Sequence, residues 1–177
     1  ASTMTEDNTV DRAAIADTVE ELNGGAVSEL SDDRLGHAMR SVPNQFPSPV
    51  IDLEGVAPAT TLDEAEAIRA MAAGGRINSA GVMGGGFIGL EMAVALGDMW
   101  GIPTTVVELT PQILPNFLSS TLARMAVKDL EDNGITVHTS EKVVRFEGEN
   151  GRVVKVVTDK RELPADLVVL AEGVRPN

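Results

Sequence analysis

Glycines recur in Gly84-Gly85-Gly86-Phe87-Ile88-Gly89 at the spacing Gly84-x-Gly86-x-x-Gly89, and each position has its own physical use. The first permits a tight turn out of a strand, the second lets a pyrophosphate approach bare backbone, and the third lets a helix pack closely on a sheet. Free N–H groups at the start of that helix, at its positive dipole end, would face phosphates. The pattern gains meaning only between a strand and a helix, with an acidic residue about 20 residues further on. Glu108 follows Gly89 by 19 residues. Its carboxylate can accept hydrogen bonds from the hydroxyls of an adenine ribose. A 2′-phosphate there would bring two anions together, costing about 1 kcal/mol in water and about 4 near a protein surface. No Arg or Lys occurs between Glu108 and Asn116 to offset that charge, so NAD(H) is expected over NADP(H). The bland alternatives are a structural glycine turn and a solvated strand-end glutamate. Glu91 falls in the first helical turn, where the dipole alone favours a carboxylate.

These residues need elements to hold them, and from about Thr61 onward strand and helix patterns alternate. Thr61 can cap a helix over Leu62–Ala73, with Glu64 as its capping-box partner. A short strand ends in Val82-Met83, and a helix then runs from the glycine turn through Trp100 until Gly101 and Pro103 stop it. Thr104–Leu109 is β-branched and apolar, as a buried parallel strand should be. Ser119 or Ser120 can cap the next helix, on which Leu122, Met125, Ala126 and Leu130 share a face. Gly134 suits its C′ position, and Ile135–His138 is a third strand. Lys142–Glu147 and Arg152–Thr158 read as strands joined across Asn150-Gly151, a strong hairpin signal. Arg161–Leu163 and Asp166–Ala171 complete the set. The pattern predicts an α/β fold, a Rossmann-like β-α-β-α-β parallel sheet with an antiparallel β-meander.

Three regions follow. Residues 1–41 form an acidic segment in which Val10, Ile15, Val19 and Leu22 could share a helix face. Residues 42–61, with Pro43, Pro47, Pro49 and Pro58, read as a Pro-rich linker. Residues 62–177 are the dinucleotide-binding domain. The net charge of −13, with nine acidic residues and one basic one in residues 1–33, argues against nucleic acid as a partner. The acidic segment could instead dock on a protein. The chain has no cysteine and two distant histidines, which removes thiolate chemistry and leaves no metal-ligand spacing. No apolar run reaches the roughly 18–20 residues of a membrane span, so a cytoplasmic location is expected. His138 is a candidate proton donor or a surface strand histidine. Met92, Met99 and Trp100 are expected to pack in the core.

Gly84–Ala93 (GGGFIGLEMA), Val106-Val107-Glu108-Leu109, Pro111-Gln112-Ile113-Leu114-Pro115, Glu162–Val168 and Gly173-Val174-Arg175-Pro176-Asn177 occur in that order. Together with Thr60–Ala65 they resemble the NAD(P)H-binding domain of FAD-dependent pyridine nucleotide-disulfide oxidoreductases, in the coenzyme A-disulfide reductase and NADH oxidase branch. The resemblance covers about residues 50–177. It implies that Gly84, Gly86 and Gly89 hold the pyrophosphate, that Ile88 and Glu91 lie toward the nicotinamide, and that Gly173 lines its pocket. It also implies a flavoprotein parent, usually homodimeric, in which the nicotinamide passes hydride to FAD. Departures accompany it. The chain has no second glycine fingerprint for FAD near its start and no redox cysteine. Gly81 interrupts a strand that is normally an unbroken apolar run, and Glu172 replaces an uncharged residue beside the nicotinamide pocket. Gly84, Gly85, Gly86, Phe87, Ile88, Gly89, Glu91, Glu108 and Gly173 are thus the candidate cofactor-binding residues, with no catalytic residue among them. The chain is expected to hold NADH for a flavin carried elsewhere and to be inactive alone. The alternative is a non-catalytic NAD-binding or protein-interaction module.

Overall fold

The computed structural model describes residues 41–43 and 53–176, and Val42–Arg175 forms one compact unit. The helix face expected over Val10–Leu22 lies outside the described residues. A five-stranded parallel sheet runs in the order β2 (Val56–Pro58), β9 (Leu167–Leu170), β3 (Ala80–Met83), β4 (Thr104–Val107) and β5 (Ile135–His138). Helices α1 (Leu62–Ala73), α2 (Phe87–Val94) and α3 (Ser120–Asp132) connect its strands. A three-stranded antiparallel meander follows, with β6 (Val143–Glu149), β7 (Arg152–Thr158) and β8 (Glu162–Pro164). Two short strands, β1 (Ser41–Pro43) and β10 (Val174–Pro176), pair with each other.

The two-residue period of a strand divides the core. Val82, Val106 and Val169 face a cluster completed by Ile68 of α1, Ala93 of α2 and Ala123 and Leu130 of α3. Their neighbours Met83, Val107 and Val168 face the other way, onto Phe146, Val153 and Val156 of the meander. The sheet is therefore covered by helices on one face and by a second, smaller sheet on the other. The break at Gly81 acquires a reason here. A Cβ at that position would lie 2.9 Å from Met83 Cε and 3.4 Å from Val156 Cγ2. The strand gives up a side chain so that the meander can approach.

The α/β architecture matches the sequence expectation, with local differences. Part of the stretch read as a linker is the edge strand β2, registered on β9 through Val56 and Val168. Its proline is tolerated because an edge strand leaves one side of its ladder unpaired. The helix after the glycine turn does not stay α-helical to Trp100 but widens into a π-helical turn over Ala95–Met99. Met92 and Trp100 pack against the core, whereas Met99 is exposed. On α3 the buried positions are Ala123 and Leu130, while Leu122 and Met125 are open to solvent. The buried face is thus rotated toward Ala123, while Leu130 belongs to both the expected and the observed face. Asn150 (φ 52°) and Gly151 (φ 80°) both turn left-handed at the β6–β7 hairpin, as a tight two-residue loop requires.

The capping box at α1 is complete. Glu64 N–H donates to Thr61 Oγ1 (3.3 Å), and Glu64 Oε2 accepts from the N–H groups of Thr60 (2.8 Å) and Thr61 (2.9 Å). Desolvation opposes ionisation of Glu64, but these hydrogen bonds outweigh it and hold its pKa below the usual value. Thr61→Ala should lower stability in urea denaturation by about 1 kcal/mol, and Thr61→Ser should restore most of it.

Candidate functional site

A cavity of about 790 Å³ opens at the carboxyl ends of the parallel strands. In an open α/β sheet that is where the loops diverge and leave a crevice. Gly84 continues β3 into this cavity, Glu108 continues β4, Glu141 follows β5, and Ala171 continues β9.

The glycine turn is built by close backbone approach. Gly84 adopts φ 114°, in the region that favours glycine, and a Cβ there would strike the Ala171 carbonyl. A Cβ on Gly89 would strike the Gly84 carbonyl oxygen, so the first turn of α2 can sit against the end of β3 only without one. Gly85 is held at both ends. Its N–H donates to Glu108 Oε2 (2.6 Å), and its carbonyl accepts from Leu114 N–H (3.0 Å). The other oxygen of Glu108 accepts from Thr110 N–H (2.7 Å). Ile113, fully buried, fills the space beside Gly85. Leu114 takes φ 47° to deliver its N–H, a conformation that costs a non-glycine residue on the order of 1–3 kcal/mol.

Gly86 differs from the others. Its backbone is extended (φ −83°, ψ −176°), and a Cβ there would meet nothing within 4 Å. Among the described glycines it alone combines an ordinary φ with open space. It also occupies the N-cap of α2 without a side chain to cap that helix, leaving first-turn N–H groups available to an anion.

The structure brings together Gly84, Gly86, Phe87, Ile88, Glu108 and Gly173 around the cavity. Gly85 and Gly89 stand behind that surface as supports, and Glu91, exposed on α2, is not part of the lining. Glu141 and Lys142 also line it and were not among the sequence candidates. Their signal was positional, since both follow the carboxyl end of a parallel strand. Phe87 and Phe117 meet edge to face at 4.7 Å between ring centroids. His138 is partly buried, with Nε2 3.3 Å from an Arg161 guanidinium nitrogen. Burial, then the charge of Arg161, holds its pKa below the ordinary histidine value against the pull of Glu141 and Glu131. It sits beside Arg161 and does not line the cavity.

The family described as pyridine nucleotide-disulphide oxidoreductase matches residues 3–177. The chain belongs to this family. It is 36% identical over 149 residues to an NADH oxidase of Methanocaldococcus jannaschii, covering 84% of this chain and 33% of that relative. The crystal structure of a FAD-dependent pyridine nucleotide-disulphide oxidoreductase from Desulfovibrio vulgaris is 56% identical and superposes with a TM-score of 0.71, over 78% of this chain and 35% of that one. The water-forming NADH oxidase of Lactobacillus brevis, in a structure bound to NADH, is 26% identical with a TM-score of 0.71, over 77% of this chain and 30% of its own. The chain thus spans about a third of the length of the relatives it matches. Among its described residues no helix is long and apolar enough to cross a membrane, and no acidic, histidine or cysteine group could hold a metal.

Glu172, on the cavity wall, has a raised pKa, first through desolvation of its carboxyl and second through the like charge of Glu108. A carboxyl whose pKa is higher folded than unfolded contributes its stability below the ordinary glutamate range and loses it as pH rises through the folded value. Glu172→Gln should therefore raise the melting temperature at neutral pH, and the gain should vanish near pH ~4. A gain that is the same at both pH values would remove Glu172 from this role.

Proposed function

We propose that this unit binds NADH and presents its nicotinamide for hydride transfer to FAD held by a domain outside this chain. Gly86 carries the reading. The fold explains Gly84, Gly85 and Gly89 by crowding, but it makes no demand for glycine at position 86. Bare backbone there serves a group that is not protein, beside helix N–H groups suited to a pyrophosphate. Family membership and an NADH-bound neighbour of the same fold support that choice.

On this reading the cavity divides by chemistry. Gly84, Gly86 and the first turn of α2 would take the pyrophosphate. Glu108 would accept the adenine ribose hydroxyls, each of its oxygens keeping an acceptor site beyond its present backbone bond. Ala171, Glu172 and Gly173 would border the nicotinamide end, with Ile88 and Phe87 at the helix start. When FAD is present it supplies the hydride acceptor. The residues described here orient the donor and assign no site to the flavin. A protein partner or subunit carrying FAD belongs to the same proposal, as does use of NADH rather than NADPH.

Gly86→Ala separates binding from folding. Its conformation suits alanine, so the melting temperature should hold or rise, while NADH affinity falls by about ten-fold or more. Unchanged affinity would leave the glycine turn without its ligand. In the unmutated chain, NADPH should bind about five-fold or more weakly than NADH, and Glu108→Ala should narrow that gap. Equal affinities before mutation would withdraw the ribose role from Glu108. Purified alone, the chain should bind NADH without a flavin absorbance band or NADH turnover.

A further inference from the structure

The proposed function makes Glu108 the residue that sorts one dinucleotide from another, and the segment after β5 holds the backbone of Glu108 in place. Glu108 N–H donates to the His138 carbonyl (2.8 Å), and the Glu108 carbonyl accepts from Glu141 N–H (3.1 Å). Ser140 N–H donates to the Thr110 carbonyl (2.8 Å). Residues 138–141 thus grip the end of β4 where it enters the cavity. The grip needs an unusual backbone. Ser140 turns left-handed (φ 53°), a conformation that persists at a non-glycine residue only where its surroundings enforce it.

The next residue supplies that enforcement. Glu141 is 1% exposed, a rare degree of burial for a carboxylate. Its Oε1 accepts from the Thr158 hydroxyl (2.7 Å) and lies 3.1 Å from Arg161 Nε. Thr158 is itself fixed, its hydroxyl oxygen accepting from Arg161 N–H (2.9 Å) and Lys160 N–H (3.1 Å) in the β7–β8 turn. In the same turn Asp159 N–H donates to the Lys142 carbonyl (2.9 Å), and Lys142 N–H donates to Asp159 Oδ1 (3.0 Å). The β5–β6 connection is therefore bonded to β4 on one side and to the meander on the other. Apolar residues of similar volume often replace a buried ion pair without loss of stability. The use of this pair is direction, since it fixes one backbone segment against another.

We propose that Glu141 is a positioning residue for Glu108: anchored by Thr158 and Arg161, it latches the β5–β6 connection to the meander and thereby fixes where the Glu108 carboxylate stands. This rests on the NADH reading above and goes beyond it. Control of dinucleotide choice is placed in a turn of the meander, since neither Thr158 nor Arg161 lines the cavity. A hydrogen bond to a ribose hydroxyl is directional, and a displacement of about 1 Å is enough to lose its benefit. Repulsion of a 2′-phosphate depends on the same fixed distance. A Glu108 freed to shift would hold the hydroxyls less well and tolerate the phosphate better, so release of the latch appears as lost discrimination in a folded protein.

The test measures NADH and NADPH affinities by titration calorimetry on the full chain, beside its melting temperature. Glu141→Met keeps the volume without the latch, and the Arg161 side chain, 44% exposed, can turn to solvent. The melting temperature should fall by about 4 °C or less. NADH affinity should fall about five-fold or more, and the preference over NADPH should shrink to about two-fold or less. Glu141→Gln, whose amide carbonyl can accept both bonds, should keep most of that preference. Thr158→Val should weaken the preference and Thr158→Ser preserve it, which decides the matter if Glu141→Met does not fold. A folded Glu141→Met or Thr158→Val protein with undiminished preference would overturn the latch and leave the NADH reading intact. So would a Glu141→Gln protein that loses the preference as fully as Glu141→Met. An unmutated chain that binds neither dinucleotide would refute the NADH reading itself, and one that binds both equally would refute the role of Glu108; either result removes this inference too.

Discussion

The carboxylate of Glu108 is the point on which the glycine turn depends. It takes the Gly85 N–H on one oxygen and the Thr110 N–H on the other. A peptide group in a tight, left-handed turn has no ladder partner, and a buried N–H left unpaired costs on the order of 1–3 kcal/mol. Glu108 meets that demand from the neighbouring strand, so the end of β4 sets the position of the turn at the end of β3. The Pro111–Pro115 stretch completes the arrangement from the far side, through the Leu114 N–H and the buried Ile113. The two motifs are therefore parts of one clamp on Gly85. In the proposed function the carboxylate that would bind the ribose also shapes the loop that would bind the phosphates, which ties the two recognitions together.

The same economy runs through the sheet. Its helix face and its meander face have separate cores, and the strands carry side chains to both without a solvated face. This is why β3, β4 and β9 read as continuous apolar runs rather than alternating ones. Gly81 belongs to the meander side, where its missing side chain admits Met83 and Val156. A local loss of strand propensity of roughly 0.5–1 kcal/mol is set against a close contact between layers.

What was legible in the sequence was what local physics decides. The capping box at Thr61, the left-handed pair Asn150-Gly151 and the glycine turn each announce themselves within a few residues, and the structure contains all three. What depended on distant partners was less visible. Val56–Pro58 reads as linker because its only strand-like feature is its pairing with β9, more than a hundred residues later. On α3 the large residues Leu122 and Met125 drew the expected apolar face toward themselves, whereas the structure buries Ala123 with Leu130. Glu141 was unreadable for the same reason. Nothing near it in sequence says that a glutamate will be buried, since Thr158 and Arg161, which make that burial tolerable, come from β7 and the turn after it.

The charge of the site bears on how it could hold an anion at all. Among the described residues lining the cavity, Lys142 is the only cation, against the carboxylates of Glu108 and Glu172 and that of Glu141, which Arg161 pairs, in a chain of net charge −13. Long-range attraction therefore works against a pyrophosphate rather than for it. The favourable terms left are the fixed dipoles of backbone N–H groups at the start of α2, whose effect falls off within about one helical turn. Such a site gains nothing until the phosphates touch the backbone. That requirement gives Gly86 its meaning in the proposed function: a side chain there would hold the anion at the distance where only the repulsion is felt. Specificity then follows from shape and contact, with Glu108 placed in the proposed function to prefer ribose hydroxyls over a 2′-phosphate.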